Sequence, residues 1–315
     1  MLLFYVYPVL ISMLDFRLQV FYTVAKRLSF TKAAAELFVT QPAVTKHIHE
    51  LEQQFGTTLF ERLGNQIRLT SAGEIALRHA ETILGNYRQL EYDLSVLKGQ
   101  HSGTLRLGAS TTVAQYLIPP ILARFHERHA DVKISLVSGN TQQIEQALLN
   151  HDIELGIVEG RTHLHELRYT PFVKDEIVLI SHSAHPLAQR DEITVDELRS
   201  QPLVLRERGS GTLEVIEHAL RQIGIKLSDI TVEMYLGSTE SIKSYLTHSR
   251  CLAFISIYAV ENELQAGTFR VLDVKGLSIQ RDFYTIQRQG ASERLAETFL
   301  NFADRHHQGH RKARP

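Results

Sequence analysis

Side chains that can donate hydrogen bonds recur at helical spacing over residues 41–53. An apolar series with steps of four, three and four runs through the same stretch. One buried stripe opposite a face of donors predicts a helix that can read base edges in the DNA major groove. An ordinary helical hairpin with a solvated polar face would show the same periodicity, so both interpretations stay open here. The donors are Gln41, Thr45, Lys46, His49 and Gln53, and the apolar residues are Val44, Ile48, Leu51 and Phe55.

A shorter helix, which precedes the donor-bearing helix in the chain, must position it. Lys32–Leu37 contains three consecutive alanines, which favour a helix and allow close packing. Ser29 or Thr31 can cap it. Thr40 is a good N-cap for the following helix, and Pro42 falls in its first turn, where a missing N–H costs little. Two helices joined this way are typical of a helix-turn-helix.

Flanking elements complete a small domain. A helix over Asp15–Lys26 would support the pair through Phe16, Val20, Phe21 and Val24. Downstream, the strand-like segments Leu59-Phe60 and Ile67–Leu69 lie on either side of Gly64-Asn65. A Gly-Asn pair between short strands predicts a tight hairpin, which would be the wing of a winged helix-turn-helix.

A heptad pattern follows the predicted wing. Ser71 and Glu74 stand at capping-box spacing and open a long helix. Its apolar residues then advance by alternating steps of four and three, as Ala76, Ala80, Ile83, Tyr87, Leu90, Leu94 and Leu97. With no other apolar stripe evident, this spacing favours a two-helix coiled coil, with dimerisation through Ile83, Tyr87, Leu90, Leu94 and Leu97. Packing against the chain's own domain is the alternative. A symmetric dimer would suit a pseudo-palindromic DNA site.

Beyond a polar segment with two glycines, strands alternate with helices, which predicts an α/β region. The strands are expected at Thr104–Gly108, Val132–Val137, Ile153–Val158, Glu176–Ile180, near Leu203 and Val232, at Cys251–Ser256 and at Phe283–Ile286. The helices are expected at Thr112–Arg128, Thr141–Leu149, Leu213–Ile223, Ser238–His248 and Ser292–Ala303.

Four small, hydroxyl-rich turns stand at the carboxyl ends of predicted strands, where ligands of open α/β sheets bind. N–H groups exposed at helix N-termini attract anions, and Arg206 would add positive charge beside the third turn. Helix capping explains any single turn, whereas four turns at one cleft would suit a small anionic effector such as a carboxylate. The candidate effector-binding residues are Ser110, Thr111, Thr112, Ser138, Asn140, Thr141, Arg206, Ser210, Thr212, Gly237, Ser238 and Thr239.

A longer set of residues resembles the N-terminal signature of LysR-type transcriptional regulators. It consists of Ala34-Ala35, Leu37, the run Thr40–Thr45, Ile48, Leu51-Glu52, Phe55-Gly56, Leu59-Phe60, Arg62 and Leu69–Gly73. The resemblance continues more weakly over most of the chain. It implies a winged helix-turn-helix, a linker helix, and a two-lobed effector domain like that of periplasmic binding proteins, with the four turns lining the cleft between the lobes.

Roles for the DNA-binding residues follow from this resemblance. Gln41, Pro42 and Lys46 are expected at base edges. Thr31, Thr45, His49, Arg62 and Arg68 are expected mainly at phosphates or along the groove, together with Lys32. The implied partners are double-stranded DNA, a second copy of the chain, a tetramer as in many relatives, and RNA polymerase. No cofactor other than the effector is expected.

The expected domain organisation has six parts. Residues 1–12 form an upstream extension, with Met13 as the usual start for this family. The DNA-binding domain covers 13–70, the dimerisation helix 71–98 and a hinge 99–103. The effector domain covers 104–304, with lobe I at about 104–173 and 280–304 and lobe II at about 174–279. Residues 305–315 are expected to be a disordered basic tail.

Composition limits the remaining function classes. The net charge of -1 excludes a uniformly basic nucleic-acid binder, although residues 13–70 carry two more basic than acidic side chains. The single cysteine, Cys251, permits no intramolecular disulfide, fits a reducing cytoplasm, and is expected in the core. We expect no metal site. We also expect no membrane association, because the apolar N-terminus is shorter than the ~20 residues that a membrane span needs. The sequence shows no nucleophile–base pair that would support an α/β enzyme. A ligand-independent repressor or architectural protein remains an alternative.

Overall fold

The computed structural model describes residues 16–64, 66–98, 102–290 and 294–311. The chain divides into two compact units, with the boundary between Leu94 and Ser95. The predicted N-terminal extension, most of the hinge and Asn65 of the predicted hairpin turn lie outside the described residues. The elements of the first unit are α1 (Phe16–Arg27), α2 (Phe30–Leu37), α3 (Gln41–Phe55), β1 (Phe60–Leu63), β2 (Gln66–Leu69) and most of α4 (Ser71–Leu97).

Three helices of the first unit pack around one apolar core. Val20, Phe21 and Val24 of α1 are fully buried, as are Ala33 of α2 and Val44 of α3. Burying such side chains contributes roughly 1.5–3 kcal/mol for each large residue. The predicted apolar stripe of α3 is confirmed for its first three members. It is wrong for its last one, because Phe55 lies at the helix end and is 48% exposed.

Local caps fix the ends of α2 and α3. The Ser29 hydroxyl accepts a hydrogen bond from the Lys32 amide at 3.3 Å, so Ser29 rather than Thr31 caps α2. Phe38 ends that helix in the left-handed conformation. Thr40 then caps α3 through the Ala43 amide, as predicted. The C-cap of α2, the short turn and the N-cap of α3 together set the angle between the two helices.

The hairpin is tied to α3 by a carboxylate. Glu52 Oε1 accepts hydrogen bonds from the amides of Leu59, at 2.7 Å, and Phe60, at 3.3 Å. In the antiparallel ladder Phe60 pairs with Leu69, and both pack on the core. The predicted wing is therefore present, and its position depends on the end of α3.

The long helix α4 has two apolar sides. Thr70, the residue before it, accepts a hydrogen bond from the Gly73 amide, so Ser71 is not the cap. Ala80 is buried in the core, whereas Ile83, Leu90, Leu94 and Leu97 are exposed and Tyr87 is half-buried. Leu84 and Tyr92 are nearly buried. Beside the predicted apolar stripe, α4 thus has a second, buried side, whose large apolar members are these two residues.

The second unit is built on a ten-stranded mixed sheet. Its strand order is β4-β3-β5-β12-β6-β10-β8-β9, with β11 paired to β6 and β7. The strands are β3 (Gly103–Ser110), β4 (Val132–Gly139), β5 (Leu155–Val158), β6 (Leu167–His182), β7 (Glu192–Ile193), β8 (Leu203–Arg206), β9 (Val232–Leu236), β10 (Leu252–Ser256), β11 (Phe269–Val274) and β12 (Ile279–Arg288).

Helices cover this sheet and follow its parallel strands. The helices are α5 (Ile118–Arg128), α6 (Thr141–Leu149), α7 (Val195–Arg199), α8 (Gly211–Gln222), α9 (Thr239–Leu246), α10 (Glu261–Gln265) and α11 (Arg294–Arg311). A π-helical turn over Val113–Leu117 precedes α5, where a continuous α-helix was expected. Short 3-10 turns occur at Leu227–Asp229 and Ile257–Ala259. None of the helices in the described part of the chain combines the length and the apolar character that a membrane crossing needs.

Two long antiparallel strands run through both lobes. β6 and β12 pair over most of their length, and the predicted lobe boundaries fall within them. Both strands are longer than expected, because charged residues interrupt their apolar runs. Strands β7 and β11 were not predicted. The hinge prediction is wrong at Gly103, which begins β3.

The C-terminal helix is longer than expected. The prediction of a disordered tail from Arg305 is wrong as far as Arg311, where α11 ends. The segment has no proline before Pro315 that would end the helix earlier. Residues 312–315 lie outside the described chain.

Two glycines of α4 provide a matched test of the packing. A Cβ on Gly73 would lie 2.1 Å from the Leu59 carbonyl oxygen, so Gly73→Ala should cost about 1–3 kcal/mol of stability. A Cβ on Gly85 meets only the end of the Arg88 side chain at 3.8 Å, so Gly85→Ala should add about 0.5–1 kcal/mol. Urea denaturation of the full chain would compare the two variants, and equal effects would contradict the packing described here.

Candidate functional site

The predicted donor face of α3 is on the surface. Gln41, Pro42, Thr45, Lys46 and His49 are all exposed. The N-cap, the proline and the buried stripe of α3 together leave this face free to meet a partner. On α2, Thr31 and Lys32 are also exposed.

These donors make only weak, exposed contacts with other side chains of α3. Gln41 donates a hydrogen bond to the Thr45 hydroxyl at 3.0 Å, and His49 contacts Gln53 at 3.0 Å. The Lys46 ammonium lies 3.8 Å from a Glu50 carboxylate oxygen. Exposed contacts of this kind are worth ~0–1 kcal/mol, so a ligand can replace them at little cost.

The two arginines of the hairpin lie on opposite faces. In the ladder Arg62 is opposite Ile67, on the face that packs towards the core, while Arg68 is opposite Glu61 on the other face. Arg68 forms an ion pair with Glu61. Both arginines are exposed, but only Arg62 has no carboxylate opposite it in the hairpin.

An apolar groove of about 380 Å³ lies between the C-terminal end of α3 and the first half of α4. Its wall includes Leu18, Phe55, Ile75 and Ile83. Beyond the groove, the exposed apolar residues Leu90, Leu94 and Leu97 continue along α4, with Tyr87 half-buried between them. Exposed large apolar side chains in a row are typical of a protein interface.

In the second unit, the second and third predicted turns contact each other. The Gly211 amide donates a hydrogen bond to the Thr141 hydroxyl at 3.2 Å, and the Gln142 amide donates one to the Gly209 carbonyl at 3.3 Å. These bonds join α6 of one lobe to the start of α8 in the other. The first turn is adjacent, because Ser110 pairs with Gly139 in the sheet.

Capping accounts for some of the predicted effector residues. Asn140 forms a capping box with Gln143, and Ser238 caps α9 through the Ser241 amide at 3.1 Å. Ser138 is exposed at the end of β4, and the Ser110 hydroxyl accepts a hydrogen bond from the Val113 amide. Thr112 and Thr239 are buried, and Gly237 is exposed. The side chains of Ser110, Asn140 and Ser238 therefore already have backbone partners.

Other atoms in the same region are buried and lack a hydrogen-bond partner among the described residues. They are Thr111 Oγ1, Ser210 Oγ and Arg206 Nη1. Ser210 is the N-cap of α8, yet its side chain makes no capping hydrogen bond. Leaving a buried polar atom without a partner costs roughly 1–3 kcal/mol, so such atoms are candidate contacts for a bound ligand or water.

Arg206 is only 2% exposed. Its Nε and Nη2 donate to Glu207 at 2.9 and 3.1 Å, and Nη2 also reaches the Gly237 carbonyl at 3.4 Å. Burial alone would raise the pKa of Glu207, but the hydrogen bonds and charge of Arg206 outweigh it and leave that pKa below its usual value. The guanidinium is therefore held rigidly, with Nη1 available.

A buried ionic network that we did not predict lies where the lobes cross. Arg281 of β12 donates to Asp175 of β6 at 2.7 Å and to the Thr212 hydroxyl at 2.9 Å. Ser256 donates to Asp175 at 2.7 Å, and Thr212 donates to Glu159 at 2.9 Å. Burial raises the pKa of Asp175, although the charge of Arg281 opposes this effect.

A third link between the lobes was also missed. Tyr116, in the π-helical turn, donates a hydrogen bond to Glu240 at the start of α9. Lys243 lies 2.8 Å from Glu240 and 2.6 Å from Glu263. Burial, followed by the hydrogen bond to Glu240, raises the pKa of Tyr116.

A sequence signal for the ionic network does exist. Asp175 stands between Val173 and Ile177 at period-two spacing, and Arg281 stands between Ile279 and Phe283 in the same way. A charge at an inward strand position must find a partner, since an unpaired buried charge is very costly. Cys251 is 5% exposed, as predicted, and burial raises its pKa.

Comparisons with known proteins cover both units. A family model described as "Bacterial regulatory helix-turn-helix protein, lysR family" matches residues 16–74, and one described as "LysR substrate binding domain" matches residues 98–308. The HTH-type transcriptional activator CmpR of Synechocystis is 33% identical over 289 residues, which are 91% of this chain and 94% of that protein.

Two solved structures extend the comparison. The Synechocystis CcmR regulatory domain in complex with 2-PG is 27% identical, with a TM-score of 0.59; the match covers 64% of this chain and 96% of that one. Full-length CbnR with its target DNA is 19% identical and similar in fold, with a TM-score of 0.62; the match covers 92% of this chain and 98% of that one.

The ionic network predicts a large stability effect at one position. Asp175→Asn leaves the buried Arg281 guanidinium without its main counter-charge, so we expect a loss of roughly 3–5 kcal/mol. The control is Asp282→Asn. Asp282 follows Arg281 in β12 and lies on the other face of the strand, so this change should alter stability by less than about 0.5 kcal/mol. Chemical denaturation would compare them, and a small effect of Asp175→Asn would show that Arg281 does not depend on this pair.

Proposed function

The chain belongs to the LysR family of DNA-binding transcriptional regulators, and from this premise we propose that its effector domain binds a small anion between the two lobes. Both family models match, one over residues 16–74 and the other over residues 98–308. A helix-turn-helix and an effector-binding domain on one chain make it a ligand-responsive regulator.

Thr111 Oγ1, Ser210 Oγ and Arg206 Nη1, which lack partners among the described residues, support an anionic effector. Arg206 Nη1 supplies positive charge, and the hydroxyls of Ser210 and Thr111 can donate hydrogen bonds. The N-terminus of α8 adds the positive end of the helix dipole. That CcmR is described with 2-PG supports the same class of ligand.

For DNA binding, the exposed face of α3 supports the expected division of roles. We assign base-edge contacts to Gln41, Pro42 and Lys46. Phosphate or groove contacts fall to the remaining exposed residues, which are Thr31, Lys32, Thr45, His49, Arg62 and Arg68. Base contacts determine sequence preference, whereas phosphate contacts mainly determine affinity and its salt dependence.

The exposed apolar side of α4 supports a dimer. Ile83, Leu90, Leu94 and Leu97 are between 44% and 83% exposed, and a second copy of α4 would cover them together with Tyr87. A two-fold dimer matches a pseudo-palindromic DNA site. We propose further assembly into a tetramer, contact with RNA polymerase at the promoter, and action in the cytoplasm, where the DNA is.

Two substitutions separate sequence preference from general affinity. Gln41→Ala should cost about 1–3 kcal/mol on the specific site and little on random DNA. Arg62→Ala should weaken both alike and lower the slope of log K against log salt by about 0.9. Fluorescence anisotropy at several salt concentrations would measure both variants, and equal losses on both DNAs for Gln41→Ala would contradict its assignment.

Binding of a chemically varied panel of small ligands tests the effector proposal. Titration calorimetry of the full chain should detect anionic members, including 2-phosphoglycolate and dicarboxylates. Ser210→Ala should leave stability unchanged, because its hydroxyl has no partner among the described residues, yet weaken anion binding about tenfold. The control is Ser278→Ala, an exposed serine of the same domain. Binding of neutral or cationic compounds alone would overturn the proposal.

A further inference from the structure

Glu159 presents an oxygen that nothing in the described chain satisfies. Its side chain is 2% exposed, and Oε1 accepts from Thr212 at 2.9 Å and lies 3.5 Å from Arg281 Nη1. Oε2 is buried and has no partner among the described residues. On the premise of the proposed effector site, we propose that the effector carries a hydroxyl or an ammonium group. This group would donate a hydrogen bond to Glu159 Oε2.

The carboxylate lies at the start of α8, beside the proposed anion site. The Thr141 hydroxyl donates to the Glu159 carbonyl at 2.7 Å and accepts from the Gly211 amide. The approach is so close that a Cβ on Gly211 would lie 1.9 Å from that carbonyl oxygen. Ser210, whose hydroxyl also lacks a partner, is the preceding residue. One ligand can therefore meet both groups.

Charge explains why Glu159 needs a donor from outside. Two buried carboxylates, Glu159 and Asp175, share the single guanidinium of Arg281. Arg281 makes its two close contacts to Asp175 and gives another hydrogen bond to Thr212. Buried charges are normally paired and hydrogen-bonded, so Glu159 is left with an excess of negative charge and one vacant acceptor.

The two ends of the site define a class of ligand. Arg206 and Ser210 favour an anionic group, and Glu159 favours a donor close to it. Hydroxy acids, amino acids and hydroxylated phosphates combine both features, whereas simple carboxylates have only one. A site built around a buried acceptor discriminates against analogues that lack the donor, because binding them leaves the acceptor unpaired.

Matched ligand pairs test this inference on the full-length protein. Succinate is compared with malate and aspartate, and 2-phosphoglycolate with 2-phosphoglycerate, by titration calorimetry. We expect the donor-bearing member of at least one pair to bind about tenfold tighter. Glu159→Gln should reduce that preference to about twofold or less while leaving binding of the donor-free member within about threefold. The control is Glu233→Gln, a change of the same kind at an exposed position of β9 that should preserve the preference.

The outcomes distinguish this inference from the function on which it rests. If wild-type protein binds both members of every pair equally, or if Glu159→Gln keeps the preference, the donor inference is wrong and the anion site stands. If no acid of any pair binds, the proposed function fails and the donor inference fails with it. The wild-type comparison needs no variant, so a Glu159→Gln protein that does not fold leaves the test decisive.

Discussion

The buried ion pair between Arg281 and Asp175 constrains the whole effector domain. It joins β12 to β6 at the point where both strands pass from one lobe to the other. Through Thr212 it also fixes the first turn of α8, and through Ser256 the end of β10. A buried ion pair adds little net stability, but losing one partner is costly, so its main effect is to specify position. The proposed anion site depends on that position, because Ser210 and Arg206 adjoin α8.

The contacts between the lobes have the strength that ligand control requires. Away from the crossing strands, the hydrogen bonds across the cleft include Gly211 to Thr141, Gln142 to Gly209, Thr162 to Glu214 and Tyr116 to Glu240. Each such bond contributes roughly 0.5–1.5 kcal/mol, or somewhat more where one partner is charged. A ligand shifts a conformational equilibrium only by its difference in affinity for the two states. New hydrogen bonds from an effector are of the same size as these contacts, so an effector that binds one state better shifts how the lobes close.

Sequence patterns predicted the parts of this chain that follow local rules. The helix pair, its Thr40 cap, the hairpin and most strands follow from periodicity and turn residues. The inward side of α4 was missed because Leu84 and Tyr92 are too few, and too interrupted by polar residues, to register as a stripe. Glu159, Asp175 and Arg281 meet only because β5, β12 and β6 are neighbours in the sheet. Which turn hydroxyls remain free, as at Ser210, and which cap a helix, as at Ser238, depends on backbone geometry that residue type does not specify.

Electrostatics determine how the DNA-binding domain can achieve selectivity under the proposed function. Lys46 lies near Glu50, and Arg68 is paired with Glu61, so two of its few cations are partly neutralised by neighbours. Sequence-independent attraction to DNA grows with the number of phosphates that cations contact. A surface with few free cations binds random DNA weakly. A single domain therefore has low affinity even for its half-site. Joining two domains through α4 makes the second binding event intramolecular and restores affinity only where both half-sites are present. The modest charge of the domain and the apolar side of α4 thus act together, since weak single contacts become selective when two are required at once.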